Sequence, residues 1–177
     1  MIFVTVGTAE YPFDRLLSEM DIIASGTDEP VVMQTGFSDK DYPHTEYSRF
    51  MPEDEMRSNY DRARILVCHA GVGTIMNGLE RGIPIVMVPR RTMYDEVDTD
   101  HQLMIAKKVV DMGRGICVED VSELGDAIER AGRMKLSPYV RNRELCNYIS
   151  DVLDGIESRM EGKRHRRYDL RVTGKAL

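Results

Sequence analysis

The ten residues Cys68-His69-Ala70-Gly71-Val72-Gly73-Thr74-Ile75-Met76-Asn77 combine types suited to holding an anion. They follow the apolar run Ile65–Val67 and precede a helically spaced segment ending near Gly82, so the stretch reads as strand, glycine-rich turn and helix start. Two glycines one residue apart let backbone approach a ligand closely. The N–H groups of a helix's first turn, which have no partner inside the helix, then face whatever lies there. Phosphate suits such a turn best. The plainer alternative is that the glycines serve only a sharp turn, as they do in many α/β folds.

A second polar cluster follows the next apolar run. After Ile85–Val88 come Pro89-Arg90-Arg91, a polar loop, and Asp100-His101-Gln102 at the head of another helical segment. Two neighbouring strands thus deliver polar loops to one end of a sheet, the end at which open α/β sheets bind ligands. Gln102 also has a purely structural reading, because it stands three residues after Thr99 in the spacing of a capping box.

Other chemistries fit less well. Gly71-Val72-Gly73 is followed by Thr74, Ile75 and Met76, so the G-x-G-x-x-G of a dinucleotide site is incomplete, and no Gly-Lys-Ser/Thr of a P-loop occurs. Asp39-Lys40-Asp41 and Asp98-Thr99-Asp100 could hold a divalent cation beside a diphosphate, but such triplets are short and common by chance. The four histidines include no pair at helical metal-ligand spacing. No metal and no cofactor are expected.

The elements that must position these groups alternate along the chain. Strands are expected at Ile2–Val6, Val31–Gln34, Thr45–Phe50, Ile65–Val67, Ile85–Val88 and Gly115–Val118. Between them lie helices: one from about Pro12 with Phe13, Leu16, Leu17, Met20 and Ile23 at helical spacing, and one from Pro52 with an acidic first turn and Met56, Tyr60 and Ala63 facing inward. A helix from Asp100 ends at Gly113, and Asp120 caps one carrying Leu124, Ala127, Ile128 and Ala131. A last helix is expected from Pro138 to about residue 160. The pattern predicts an α/β fold, a Rossmann-like doubly wound parallel sheet with helices on both faces.

At 177 residues the chain is about one domain, small for a two-domain enzyme. No run approaches a membrane span and the N-terminus lacks a signal-peptide pattern, so a soluble cytoplasmic chain is expected. The three cysteines, Cys68, Cys117 and Cys146, are far apart and read as structural thiols. Net charge is −6, but residues 163–177 hold six Lys/Arg against one Asp. An acidic body argues against nucleic acid. The basic tail could touch an anionic membrane surface or an acidic partner, or be a solvated end.

Taken in order, His69-Ala70-Gly71-Val72-Gly73-Thr74, Gly82-Ile83-Pro84, Val88-Pro89 and Asp100-His101-Gln102 resemble the C-terminal, UDP-sugar-binding half of glycosyltransferase family 28. Val4-Thr5-Val6-Gly7-Thr8 with Phe13-Asp14, and Gln34-Thr35-Gly36, agree. The resemblance covers roughly residues 1–135. It implies the C-terminal half of a GT-B fold, with residues 1–135 as the UDP-sugar-binding domain, 136–162 as a C-terminal helix and 163–177 as the basic tail. Some members of the family split their halves into two proteins. This chain is similar to the soluble donor-binding subunit of such pairs, as in the dolichol-linked N-acetylglucosamine transferase and in capsular or exopolysaccharide transferases.

The resemblance further implies an inverting hexosyltransferase, active only with its partner, that moves a sugar from a UDP-sugar to a lipid-diphosphate-linked saccharide. The partner would be a membrane-attached acceptor-binding subunit, holding the chain peripherally at the membrane. It places uracil near Phe50 and Met51, the diphosphate at Gly7, Thr8 and the turn His69, Ala70, Gly71, Val72, Gly73 and Thr74, and the sugar near Asp100, His101 and Gln102. Apolar surface suits a base, N–H groups suit phosphate, and carboxylate, imidazole and amide groups suit sugar hydroxyls. Asn77 departs from the pattern, since several relatives carry there a Glu that accepts both ribose hydroxyls; Glu80, one turn on, is a possible substitute. Arg90 and Arg91, near the sugar, could favour an acidic sugar such as glucuronate, or belong to a solvated loop or a partner contact. The other reading of the whole is a non-catalytic nucleotide-sugar-binding or regulatory subunit, which would share the donor site and need no acceptor.

Overall fold

The structure is a computed structural model that describes residues 1–140, 147–148 and 150–152. Six parallel strands form one sheet: β1 (Ile2–Thr5), β2 (Val31–Gln34), β3 (Glu46–Ser48), β4 (Ile65–Cys68), β5 (Ile85–Met87) and β6 (Gly115–Cys117). Their order, β3-β2-β1-β4-β5-β6, reverses direction between β1 and β4. The expected doubly wound sheet is thus formed, and its switch point lies where the glycine turns emerge.

Five helices cover it: α1 (Asp14–Ser25), α2 (Glu53–Arg62), α3 (Val72–Arg81), α4 (His101–Asp111) and α5 (Leu124–Gly132). Alternate side chains of the buried strands face opposite ways, which explains why their sequences are apolar throughout. Ile2, Val4, Val6, Met33, Ile65, Val67 and Val86 join Leu16, Leu17 and Met20 of α1 and Leu124, Ala127 and Ala131 of α5 in one core. On the other face Phe3 meets Tyr60 of α2 edge-on, with ring centroids 5.2 Å apart. There the backbone of Gly78 in α3 lies directly against Leu66 and Ile85. By contrast β3 is a short, largely exposed edge strand, narrower than the expected Thr45–Phe50, because Glu46 and Tyr47 have no helix over them.

Three further features differ from the sequence reading. Asp120 caps not α5 itself but a 3₁₀ turn, Val121–Glu123, that leads into it; its carboxylate accepts from the Ser122 N–H at 3.0 Å. The Thr99–Gln102 capping box does not form, for α4 has Asp100 at its N-cap without a side-chain bond and Gln102 is engaged elsewhere. Finally, residues 134–140 are irregular, so no helix starts at Pro138. Their backbone is used as a strap: the Tyr139 N–H donates to the Leu79 carbonyl near the end of α3, which also accepts from the Gly82 N–H, and Arg114 reaches the Ser137 carbonyl. Most of the expected last helix, the tail 163–177 and Cys146 lie outside the described residues. Among the described residues, no helix is long and apolar enough to cross a membrane.

Candidate functional site

A cavity of about 740 Å³ opens at the carboxyl ends of β1, β2 and β4. Its walls include Gly7, Thr8, Phe50, Met51, His69, Gly71, Gly73, Thr74 and Asn77, all expected from the sequence. They arrive from three segments because parallel strands send every such loop to one edge.

The α3 N-terminus forms one wall. Gly71, its N-cap, has no side chain to offer, no cap bond is made, and no acidic residue occupies the first turn. The first helix bond runs from the Ile75 N–H to the Gly71 carbonyl, so the N–H groups of Val72, Gly73 and Thr74 have no partner within the helix. Together with the helix dipole they make a positive, uncapped end suited to phosphate oxygens. A Cβ on Gly73 would meet nothing within 4 Å. Its bareness therefore gives space to a ligand and not to the fold.

His69 fills the gap between the two glycine turns. Its Nδ1 lies 3.3 Å from the Thr5 carbonyl, which can only accept, so Nδ1 carries the proton and Nε2 is left as an acceptor. Burial first, and then the Arg90 guanidinium, push its pKa down to about 4, so the ring is neutral at pH 7. A Cβ on Gly7 would stand 2.7 Å from this ring, and one on Gly71 would overlap it outright. Both glycines are thus required by the imidazole between them. Ala70 adopts a left-handed φ of 64° and is wholly buried beneath the turn. Cys68, also buried, has its thiol pushed up to about 12 by desolvation and stays protonated.

The loop after β1 is braced by Gln34, whose carboxamide pairs with both the N–H and the carbonyl of Gly7. Its Oε1 accepts from the Gly7 N–H at 3.1 Å and the Thr5 hydroxyl at 2.7 Å, while Nε2 donates to the Gly7 and Arg49 carbonyls. The Gly7 N–H is therefore occupied. The first turn of α3, by contrast, faces the cavity with N–H groups that have no partner within the helix.

Phe50, 48 % exposed, stands edge-on to Phe37 at 5.3 Å and offers an apolar face at the other end of the cavity, beside Met51. Glu80, the suggested substitute for Asn77, also lines the cavity, as do Thr5, Gln34, Glu53, Met56, Arg57, Tyr60 and Arg81, which were not singled out as site residues. Gln34 was visible only as part of the family pattern, and Tyr60 only as an inward-facing helix position. Asn77 is occupied on both sides, donating to the Gly73 carbonyl at 2.9 Å and accepting from Arg81 at 3.0 Å. Arg81 in turn pairs with Asp61 at 2.7 Å.

Asp100, His101 and Gln102 are not part of this wall. Asp100 accepts from the Thr92 N–H at 2.9 Å and hydroxyl at 3.0 Å, and this lowers its pKa. His101 contacts the Thr99 hydroxyl, and Gln102 accepts from the Arg90 N–H at 3.0 Å. Arg90 does not face a sugar: it is fully buried and its guanidinium donates to four backbone carbonyls. Arg91 is paired with Glu119 at 2.6 Å. The other triplet carboxylates are likewise engaged, Asp98 by Tyr11, Asp39 by Arg49 and Asp41 by Tyr47.

The glycine turns, the uncapped helix and the six-stranded sheet agree with the sequence comparisons. The model of the glycosyltransferase family 28 C-terminal domain matches residues 1–154, and the chain belongs to that family. Among curated relatives, the UDP-N-acetylglucosamine–N-acetylmuramyl-(pentapeptide) pyrophosphoryl-undecaprenol N-acetylglucosamine transferase of Anaeromyxobacter sp. (strain K) is 27 % identical over 123 residues, covering 66 % of this chain and 31 % of that protein. The enzyme of the same name from Francisella philomiragia is 28 % identical over 97 residues, 54 % of this chain and 24 % of its own length. The chain thus spans a quarter to a third of the relatives it matches. Among solved structures, the glycotransferase of kitacinnamycin aligns with a TM-score of 0.57 at 20 % identity, over 75 % of this chain and 35 % of that one. MurG of Acinetobacter baumannii aligns at 0.52 and 17 % identity, over 72 % and 40 %. These likenesses identify the fold as one half of the GT-B architecture.

Proposed function

We propose that this chain is the donor-binding part of an inverting glycosyltransferase that moves a sugar from a UDP-sugar to a lipid-diphosphate-linked saccharide. The observation that carries this reading is the uncapped N-terminus of α3, opening with Gly71 and Gly73 onto a 740 Å³ cavity that ends in Phe50 and Met51. Diphosphate would lie against the α3 N–H groups and uracil against the apolar end. As the glycosidic bond breaks, negative charge grows on the leaving UDP, and a fixed helix dipole with oriented N–H groups stabilises it without reorganisation. The names of the curated relatives, which pair a UDP-sugar with a lipid-linked acceptor, support the substrate class.

Transfer also needs an acceptor site and a base within hydrogen-bond reach of the attacking hydroxyl. His69 is the cavity's imidazole, but it is neutral, held by the Thr5 carbonyl and enclosed between two glycines, at the phosphate end. The acceptor and base are therefore assigned to a second, membrane-attached subunit. Titration calorimetry of the full chain with UDP and UDP-N-acetylglucosamine in EDTA tests donor binding, which is expected without added cation. Assays of chain, partner and mixture with a lipid-linked acceptor test the division of labour. Turnover by the chain alone would overturn it, and absence of UDP binding would overturn the donor site.

A further inference from the structure

Arg90 is the largest fully buried side chain of the described residues, and no ion pair neutralises it at contact distance. Burying a guanidinium costs several kcal/mol unless its donors are satisfied, so an apolar residue would fill this space at lower cost. What an apolar residue would lack is the ability to gather backbone. Nη1 donates to the carbonyls of Tyr11 at 2.9 Å, Pro12 at 3.3 Å and Glu96 at 3.3 Å, and Nη2 donates to that of Val6 at 3.1 Å. These carbonyls lie in irregular segments, where no ladder or helix offers donors to all of them. The ring of Phe13 lies 4.6 Å from the guanidinium carbon and closes the packing. From the same residue the backbone N–H reaches Gln102 Oε1.

We propose that Arg90 is a positioning residue that clasps the loop after β1 to the loop after β5 and so holds in place the Gly7–Thr8 wall of the donor cavity. The inference rests on the donor-site reading for its purpose but not for its geometry. One side of the clasp is Val6, directly before the Gly7–Thr8 turn that lines the cavity. The other is the segment from Arg90 to Gln102, fixed a second time by Glu96: its buried carboxylate takes a two-pronged bond from Arg15, at 3.0 and 2.9 Å, and the Arg91 N–H at 3.1 Å. The loops are more than 70 residues apart in sequence. The two Nη groups of a planar fork hold them in one register, the Nε–H being left without a partner among the described residues, whereas a lysine, with its three donors on one nitrogen, cannot reach the same set.

The test uses the full chain, wild type and Arg90→Lys, with UDP and UDP-N-acetylglucosamine as ligands. In Arg90→Lys, amide exchange is expected to quicken together in residues 7–12 and 89–102 and to stay unchanged in β4 and α5. UDP affinity should fall about tenfold, the loss of roughly one well-made hydrogen bond. A lysine variant with wild-type affinities and exchange would show that charge alone matters and overturn the clasp, as would loosening of only one loop. Should Arg90→Lys fail to fold, the wild type decides: UDP is expected to slow exchange at residues 90–96 as well as at 5–8 and 72–75, and protection confined to the latter two would overturn the proposal. If wild type binds no UDP, the donor reading fails instead, and the paired loosening of the two loops still tests the clasp.

Discussion

The glycine turns after β1 and β4 and the arginine-rich loop after β5 leave the same edge of one sheet, yet they treat their polar groups in opposite ways. At the turns, small residues leave the N–H groups of α3 uncapped and facing a cavity. In the β5 loop, side chains that carry formal charge are tied to one another and to backbone: Arg90 to four carbonyls, Arg91 to Glu119, Asp100 to Thr92, and Glu96 to Arg15. Charged residue types near a site therefore mislead when their partners are close, whereas bare backbone at a helix start has no such local partner. On the proposed reading, the diphosphate would be held by backbone of the glycine turns and not by the charged β5 loop.

The sharpest way to break that contrast is Gly71→Ala. Its methyl would overlap the His69 ring, which is held by the Thr5 carbonyl and cannot swing away freely. Overpacking of this kind costs about 1–3 kcal/mol, and UDP binding should be lost with it. Thermal denaturation of Gly71→Ala, His69→Ala and the double variant checks the cause: the double variant should recover much of the stability lost in Gly71→Ala. Additive losses would mean that the glycine is needed for something other than the imidazole.

A second test uses pH. His69 titrates at about 4 in the folded chain against an ordinary 6.5, so below 6.5 the unfolded chain binds more protons than the folded one. The stability associated with the neutral ring is complete above about pH 6.5 and is lost as pH falls toward 4, with a total on the order of 3 kcal/mol. Urea denaturation at pH 7, 5.5 and 4.5 should show this decline, and His69→Gln should flatten it relative to wild type. An equal slope in the variant would assign the acid sensitivity to other groups.

How much of this was legible depended on distance along the chain. Ile2–Thr5, Ile65–Cys68 and Ile85–Met87 are apolar because both faces of the sheet are covered, and helical spacing at Leu16, Leu17 and Met20 follows from one packed face, so the architecture could be read locally. The glycine turn was legible for the same reason. Gln34's grip on Gly7 spans 27 residues, and Arg90's bonds to Tyr11 and Val6 span 79 and 84, separations over which no spacing rule operates. The strap at Tyr139 was hidden likewise: an extended segment after α5 satisfies a carbonyl in α3, 60 residues earlier.

Gly73→Val separates ligand space from fold space. The Cβ meets no atom, the residue lies in the first turn of α3, and valine is if anything a better helix former than glycine, so the melting temperature should stay level or rise slightly. The side chain would instead stand in the cavity before the helix N–H groups, and UDP affinity should drop at least tenfold, or about 1.4 kcal/mol. Calorimetry on a variant confirmed as folded by circular dichroism makes the measurement. Unchanged affinity would move the diphosphate away from the α3 turn.

The smallest effect is expected at Arg91, and it bears on the other side of the comparison. This guanidinium is 2.6 Å from Glu119 and 3.5 Å from Asp100, and Glu119 is half exposed. A pair so open to water contributes about 0–1 kcal/mol and weakens with salt, because each ion retains much of its hydration. Arg91→Ala should thus lower stability by no more than about 1 kcal/mol, less in 0.5 M salt than in 0.05 M. With its charge already matched by two carboxylates, Arg91 has little left to offer a carboxylated sugar. The ratio of affinities for UDP-glucuronate and UDP-N-acetylglucosamine should therefore be the same in wild type and in Arg91→Ala. A wild-type preference for UDP-glucuronate that disappears in the variant would mean that a ligand carboxylate displaces Glu119 from the guanidinium, and the β5 loop would then bind the donor through charge after all.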